Sequence, residues 1–76
     1  MVQYRTEKHQ FNPENAAPYE SYCLCCYRDG APVLQIADLS LSGSSVERLA
    51  EQCNRLELSP LHLRDVVEDF LAQDSP

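Results

Sequence analysis

The chain has 76 residues, with 12 acidic and 6 basic side chains and a formal charge of −6 when both histidines are neutral. This acidic balance disfavours binding to DNA, RNA or anionic membranes, because their phosphates attract basic protein surfaces. No apolar stretch approaches the roughly 20 residues of a membrane-spanning helix. We expect one small domain over residues 1–76, with a modest core and no bound cofactor.

Three strands are predicted in residues 1–40. Residues 2–11 alternate weakly, which suits an edge strand, and a proline-rich loop separates them from residues 19–27, the strongest strand pattern. The returning strand covers residues 33–39. Pro32 has no N–H to donate, so the strand that follows it is expected to face outward from the sheet on that side.

The turn after residue 27 decides which side chains share a face. A two-residue turn places Cys23 and Cys25 beside the apolar residues of the returning strand. A three-residue turn with Gly30 in the left-handed conformation places the even-numbered residues of 22–26 there instead. We prefer the second register, because it separates apolar and polar side chains more cleanly.

A hairpin of two helices is predicted over residues 44–72. Ser44 and Glu47 match a capping box, and apolar residues from Val46 to Leu56 follow at helical spacing. Ser59 and Pro60 are typical of a second helix N-terminus.

The second helix is expected to bury one apolar stripe: Leu63, Val66, Val67, Phe70 and Leu71. Phe70 lies in the middle of this stripe, so Phe70→Ala is expected to cost about 3–5 kcal/mol. The predicted fold class is α+β, a small three-stranded antiparallel sheet followed by a two-helix hairpin packed on one face.

Four cysteines are the residues that most invite a chemical interpretation: Cys23, Cys25, Cys26 and Cys53. Structural zinc sites usually take two ligand pairs presented by turns, whereas three of these residues lie within a predicted strand. Redox motifs place Cys-x-x-Cys at a helix N-terminus. Packing as small hydrophobic residues is the preferred interpretation, and no metal ligand or catalytic residue is assigned.

Two surfaces are candidates for contact with a partner. The sheet face away from the helices carries small or amphipathic groups, and the second helix carries an acidic face that could dock a basic partner. Together they contain Cys23, Cys25, Tyr27, Val33, Asp65, Glu68 and Asp69. An uncovered sheet face favours a homodimer, whereas coverage by the first strand and the loop at 12–18 favours a monomer.

The C-terminal half carries a specific pattern, Cys53-Asn54 followed by Leu58-Ser59-Pro60-Leu61-His62-Leu63. With the strand residues 22–26 and 37–40, this pattern resembles a family of small bacterial proteins of unknown function. The resemblance implies a bacterial, cytosolic setting. It brings no assigned activity, cofactor or catalytic residue.

The sequence therefore predicts a non-catalytic, cytoplasmic interaction or regulatory module with an unidentified protein partner. The absence of a nucleophile–base pair and of a phosphate-binding loop supports this interpretation. The alternative is a thiol- or metal-binding protein that uses Cys23, Cys25 and Cys26.

Overall fold

An antiparallel sheet of three ten-residue strands forms one layer of the molecule. The computed structural model describes residues 1–74, so the last two residues of the predicted domain lie outside the described residues. The strands β1 (Val2–Phe11), β2 (Tyr19–Arg28) and β3 (Ala31–Ser40) lie in that order, with β2 in the centre. The expected edge position of β1 is confirmed.

The turn between β2 and β3 differs from the expected one. Asp29 and Gly30 have φ angles of 52° and 84°, which makes a two-residue turn of the type that matches strand twist. The extra residue of the expected turn lies in the strand instead, as a bulge at Val33. Leu24 therefore still pairs with Ile36, and the predicted faces are correct although the predicted turn is wrong.

A second irregularity lies near the end of β3. Asp38 has a φ of 53°, and the pairing with β2 shifts so that Ser40 lies opposite Tyr22. The Tyr19 hydroxyl donates a 2.5 Å hydrogen bond to the Asp38 carboxylate at this point. The shift leaves Leu39 buried in the core.

Helix α1 (Gly43–Arg55) begins earlier than the capping-box pattern predicts. Its N-cap is Ser42, whose hydroxyl accepts from the Ser45 N–H, so the assignment of the cap to Ser44 is wrong. A Cβ on Gly43 would lie 2.6 Å from the Tyr22 ring, so glycine permits the helix to start against β2.

The connection between the helices follows the predicted capping chemistry. Leu58 N–H donates to the Cys53 carbonyl at 3.0 Å and Glu57 takes a left-handed conformation, which closes α1 in a Schellman-type motif. Ser59 then caps a short 3₁₀ turn (Pro60–His62) that leads into α2 (Leu63–Asp74). Ser59 and Pro60 thus begin a helical turn as expected, but this turn is 3₁₀ and the α-helix starts only at Leu63.

Both helices bury their apolar residues against the same face of the sheet, which confirms the α+β prediction. The core comprises Tyr4, Leu24, Cys26, Leu39, Val46, Leu49, Ala50, Cys53, Leu63 and Val67. Phe70 is only partly buried and packs at the margin of this cluster, while Leu71 and Leu56 are exposed. The prediction of Phe70 as the central anchor is therefore wrong, and Leu63 holds that position with no exposed surface.

Candidate interaction surfaces

The open face is the side of the sheet opposite the helices, and its centre is Cys25 on β2. Arg5 lies opposite Cys25 on β1, and Gln35 lies opposite it on β3. Cys23 and Tyr27 flank it along β2 with side chains on the same face, because strand side chains alternate.

Both cysteines of the open face are buried, with exposures of 0% for Cys23 and 4% for Cys25. Their expected availability to a partner is therefore wrong. The helices do not cover this face, so the covering groups come from the sheet itself. Sequence patterning missed the covering groups that belong to β1, because the polar residues of this strand give no sign of their register.

Three side chains form a roof above Cys25: Arg5, Glu7 and Tyr27. The Tyr27 hydroxyl donates a 2.6 Å hydrogen bond to Glu7 Oε2, reaching diagonally across the two strands. The Arg5 guanidinium lies 4.7 Å from the centre of the Tyr27 ring, within cation–π range. These contacts fix the position of the aromatic ring next to Cys25 on the open face.

The roof shifts the pKa values of the groups within it. Hydrogen bonds from Tyr27 and then His9 lower the pKa of Glu7, because they stabilise its charged form. The same hydrogen bond to Glu7 raises the pKa of Tyr27. Burial, with the Glu7 charge as a smaller cause, raises the pKa of the Cys25 thiol to about 11.

A second thiol group lies on the helix side of the sheet. Cys26 and Cys53 are fully or almost fully buried in the core beside Tyr4. Burial, and then the neighbouring Cys26, raises the pKa of Cys53. Reactive thiols need a lowered pKa and partial exposure, so Cys25 and Cys53 are both in environments that suppress thiolate chemistry.

A shallow groove lies beside the roof, where β3 bulges. Its lining includes Tyr27, Pro32, Val33 and Gln35, with Cys25 and Glu7 at its base and side. Val33 is 48% exposed. Exposed apolar side chains next to a fixed aromatic ring are common in protein contact sites.

The acidic residues of α2 do not join this surface. Asp65, Glu68 and Asp69 are exposed on a helix that packs on the other side of the sheet. The predicted partner residues thus divide between two separate surfaces. The residues at 12–18, which were expected to cover the open face in a monomer, form the connection between β1 and β2 and are exposed.

The part of the chain that the structure describes shows neither a cluster of metal ligands nor a membrane-spanning helix. Within residues 1–74, no three or more His, Cys, Asp and Glu side chains are grouped so that they could hold a metal ion. No helix described there is both long enough and apolar enough to cross a membrane.

The comparisons with known proteins give a family but no function. A model of a family of unknown function, DUF6514, matches residues 1–73. No curated protein and no solved structure is significantly similar to the chain. The match confirms the resemblance to a family of unknown function.

Proposed function

We propose that this chain, which belongs to the DUF6514 family of unknown function, is a non-catalytic module that acts by protein contact through its open face. The observation that carries the proposal is the fixed position of Tyr27 beside exposed Val33. A ring already held by Glu7 and Arg5 loses little side-chain entropy when a partner binds. Aromatic anchors of this kind dominate binding energy in many interfaces.

The burial of the thiols favours contact over chemistry. Each of the four cysteines is free and buried, and raised pKa values keep Cys25 and Cys53 in the protonated form at neutral pH. Free buried thiols also suit a reducing compartment, which supports a cytoplasmic location.

The occupant that we propose for the open face is a second copy of the chain. Each copy carries a net charge of −6, so most approaches of two copies are repulsive. The open face is closer to neutral, since Arg5 lies there near Glu7, with Asp38 at its end beside Tyr19. A two-fold contact across it brings together two surfaces without a large excess of negative charge.

Sedimentation velocity tests this proposal. We expect the wild-type chain to pass from 8.6 kDa to twice that mass over loading concentrations from about 10 μM to about 1 mM, the range in which modest interfaces associate. Val33→Lys adds a charge at the contact and is expected to keep the chain monomeric. Leu61→Lys, at a side chain 89% exposed in the 3₁₀ turn, is the matched control and should associate like the wild type.

A wild-type chain that stays at 8.6 kDa at every concentration overturns the dimer. Association that Val33→Lys leaves unchanged overturns the location on the open face. Circular dichroism melts of both variants show whether a loss of association is a loss of folding.

A further inference from the structure

The outer edge of β1 carries unpaired backbone groups in a regular pattern. Asn54 of α1 binds the Tyr4 backbone twice: its Oδ1 accepts from the Tyr4 N–H at 2.7 Å, and its Nδ2 donates to the Tyr4 carbonyl at 2.9 Å. The backbone groups of Tyr4 therefore point away from β2. Outward and inward positions alternate along an antiparallel strand.

This alternation fixes the direction of the next backbone groups. The pairing of β1 with β2 runs without a shift from Val2 to Phe11. The N–H and C=O groups of Thr6, Lys8 and Gln10 consequently point outward as well. No hydrogen-bond partner for them is found among residues 1–74.

The opposite edge of the sheet differs. Along β3, Pro32 has no N–H, a bulge lies at Val33, and Asp38 adopts a left-handed conformation. Bulges and prolines are the means by which natural sheets block further strand pairing. Of the two edges, β1 is thus the one whose geometry remains ready for an additional strand.

An acidic groove runs along this ready edge. Glu47, Glu51 and Asn54 lie on one stripe of α1 and line the groove together with Tyr4, Arg5 and Thr6. The Arg5 guanidinium itself lies against the Tyr27 ring on the open face. The two glutamates are exposed and form no ion pair within the described residues. The Thr6 hydroxyl in the groove is buried and has no hydrogen-bond partner in that part of the chain.

We propose that the β1 edge from Thr6 to Gln10 accepts an extended segment of a partner protein as an antiparallel fourth strand. Every second side chain of the added strand faces the helix layer, where Glu47 and Glu51 select lysine or arginine. The site ends before Tyr4, because the Asn54 amide already binds both the N–H and the C=O of Tyr4. This edge is separate from the open face and its occupation does not depend on the proposed dimer.

A second copy of the chain is a poor occupant of this edge. An antiparallel pair of β1 strands centred on Lys8 places two lysines opposite each other, and one centred on Glu7 places two glutamates opposite each other. Like charges directly opposite are destabilising. A register centred on Thr6 sets Lys8 opposite Tyr4, whose backbone is already bound by Asn54. One centred on His9 overlaps only residues 7–11 before β1 ends.

The probe for this site is a fluorescein-labelled ten-residue peptide in which lysine alternates with threonine, except that the helix-facing position opposite Lys8 is also threonine, because like charges directly opposite are destabilising. In the proposed antiparallel arrangement its lysines face α1, and their N–H groups bind β1. We expect saturable binding in fluorescence anisotropy below about 1 mM peptide. We also expect slower exchange of the Thr6 and Lys8 amide protons in NMR spectra of the complex.

A control peptide separates strand pairing from charge attraction. It has the same sequence but carries a backbone N-methyl group at each helix-facing residue, which removes the donors to β1 and keeps every charge. Its binding is expected to be at least about tenfold weaker, since several hydrogen bonds are lost. Equal binding of the two peptides overturns the proposal.

Two matched pairs of variants locate the site on the protein. Lys8→Pro removes one outward N–H and should weaken binding about tenfold relative to Lys8→Ala, which keeps that N–H. Glu47→Gln with Glu51→Gln should weaken binding several-fold more than Glu68→Gln with Asp69→Asn, which removes equal charge from α2. Circular dichroism melts confirm that each variant is folded.

The proposal is overturned if the unmodified peptide fails to bind at about 1 mM. It is likewise overturned if the α2 pair weakens binding as much as the α1 pair, or if Lys8→Pro binds as well as Lys8→Ala.

Discussion

The Glu7 carboxylate is the residue through which pH should act on stability. Its pKa is lowered in the folded chain by hydrogen bonds from Tyr27 and His9. A lowered pKa contributes stability above the unfolded value, near 4.3 for glutamate, and that contribution is lost as the pH falls through the folded value.

We therefore predict that Glu7→Gln reduces the loss of stability between pH 7 and pH 3. Urea unfolding at several pH values measures the slope with which the free energy of unfolding falls over this pH range. Glu14→Gln, in the exposed connection after β1, is the control and should leave the slope close to that of the wild type. Equal slopes for the two variants would contradict the role given to Glu7.

The buried thiols are expected to react slowly in the native protein. Cys23, Cys25, Cys26 and Cys53 are all shielded, and burial raises the pKa of two of them. In the native protein at pH 7.5, all four should react with a disulfide reagent far more slowly than in urea, because reaction requires opening of the structure. A single fast native thiol would revive the thiol-protein alternative.

At the scale of elements, Asn54 joins α1 to the edge of β1. Its amide satisfies both backbone groups of Tyr4, and the Tyr4 hydroxyl donates in turn to the Leu58 carbonyl at 2.7 Å. Asn54→Ala leaves the Tyr4 backbone unpaired and is expected to cost about 1–3 kcal/mol in urea unfolding. Gln52→Ala, on an exposed position of α1, is the control and should stay within about 0.5 kcal/mol of the wild type.

The packing of α2 predicts a ranking of two truncations. Leu63 has no exposed surface, so Leu63→Ala should cost about 2–5 kcal/mol. Phe70 lies at the margin of the core, so Phe70→Ala should cost less than Leu63→Ala, and less than the sequence pattern alone indicates. The urea midpoint of Leu63→Ala should therefore be lower than that of Phe70→Ala. The reverse order would contradict the marginal position of Phe70 in the core.

These elements show what local patterns predict and what they do not. The three strands, the two helices and the Ser59–Pro60 start were predictable, because each depends on neighbours within a few residues. The ends of the returning strand and of both helical stripes were not, since Ala31 and Pro32 are paired with β2 and Leu56 and Leu71 are exposed. The start of α1 was not, since it depends on the close approach of Gly43 to Tyr22. The β2–β3 pairing was predicted through the wrong turn, because a bulge and a longer turn shift the register equally.

The candidate surfaces were less predictable than the fold. The roof needs Arg5 and Glu7 to meet Tyr27 across two strands, and a polar strand such as β1 does not reveal its register. The Asn54 contact spans 50 residues of sequence, with no local signal at either end. Its one sequence mark was the Cys53-Asn54 pair within the family pattern.

At the scale of the whole molecule, the acidic residues of α2 and the proposed contact surface on the open face lie on opposite sides of the sheet. The helix layer carries Asp65, Glu68 and Asp69 in solvent, whereas the open face has Arg5 near Glu7, with Asp38 at its end beside Tyr19. An acidic molecule with one less acidic face is expected to associate through that face.

A dilution series of ¹⁵N–¹H NMR spectra tests whether two copies of the chain associate through the open face. As the concentration rises, we expect the amide signals of Tyr27, Val33 and Gln35 to shift together with one dissociation constant. The amide signals of Asp65, Glu68 and Asp69 on α2 should stay fixed. Spectra that do not change with concentration, or shifts confined to α2, would contradict association through the open face.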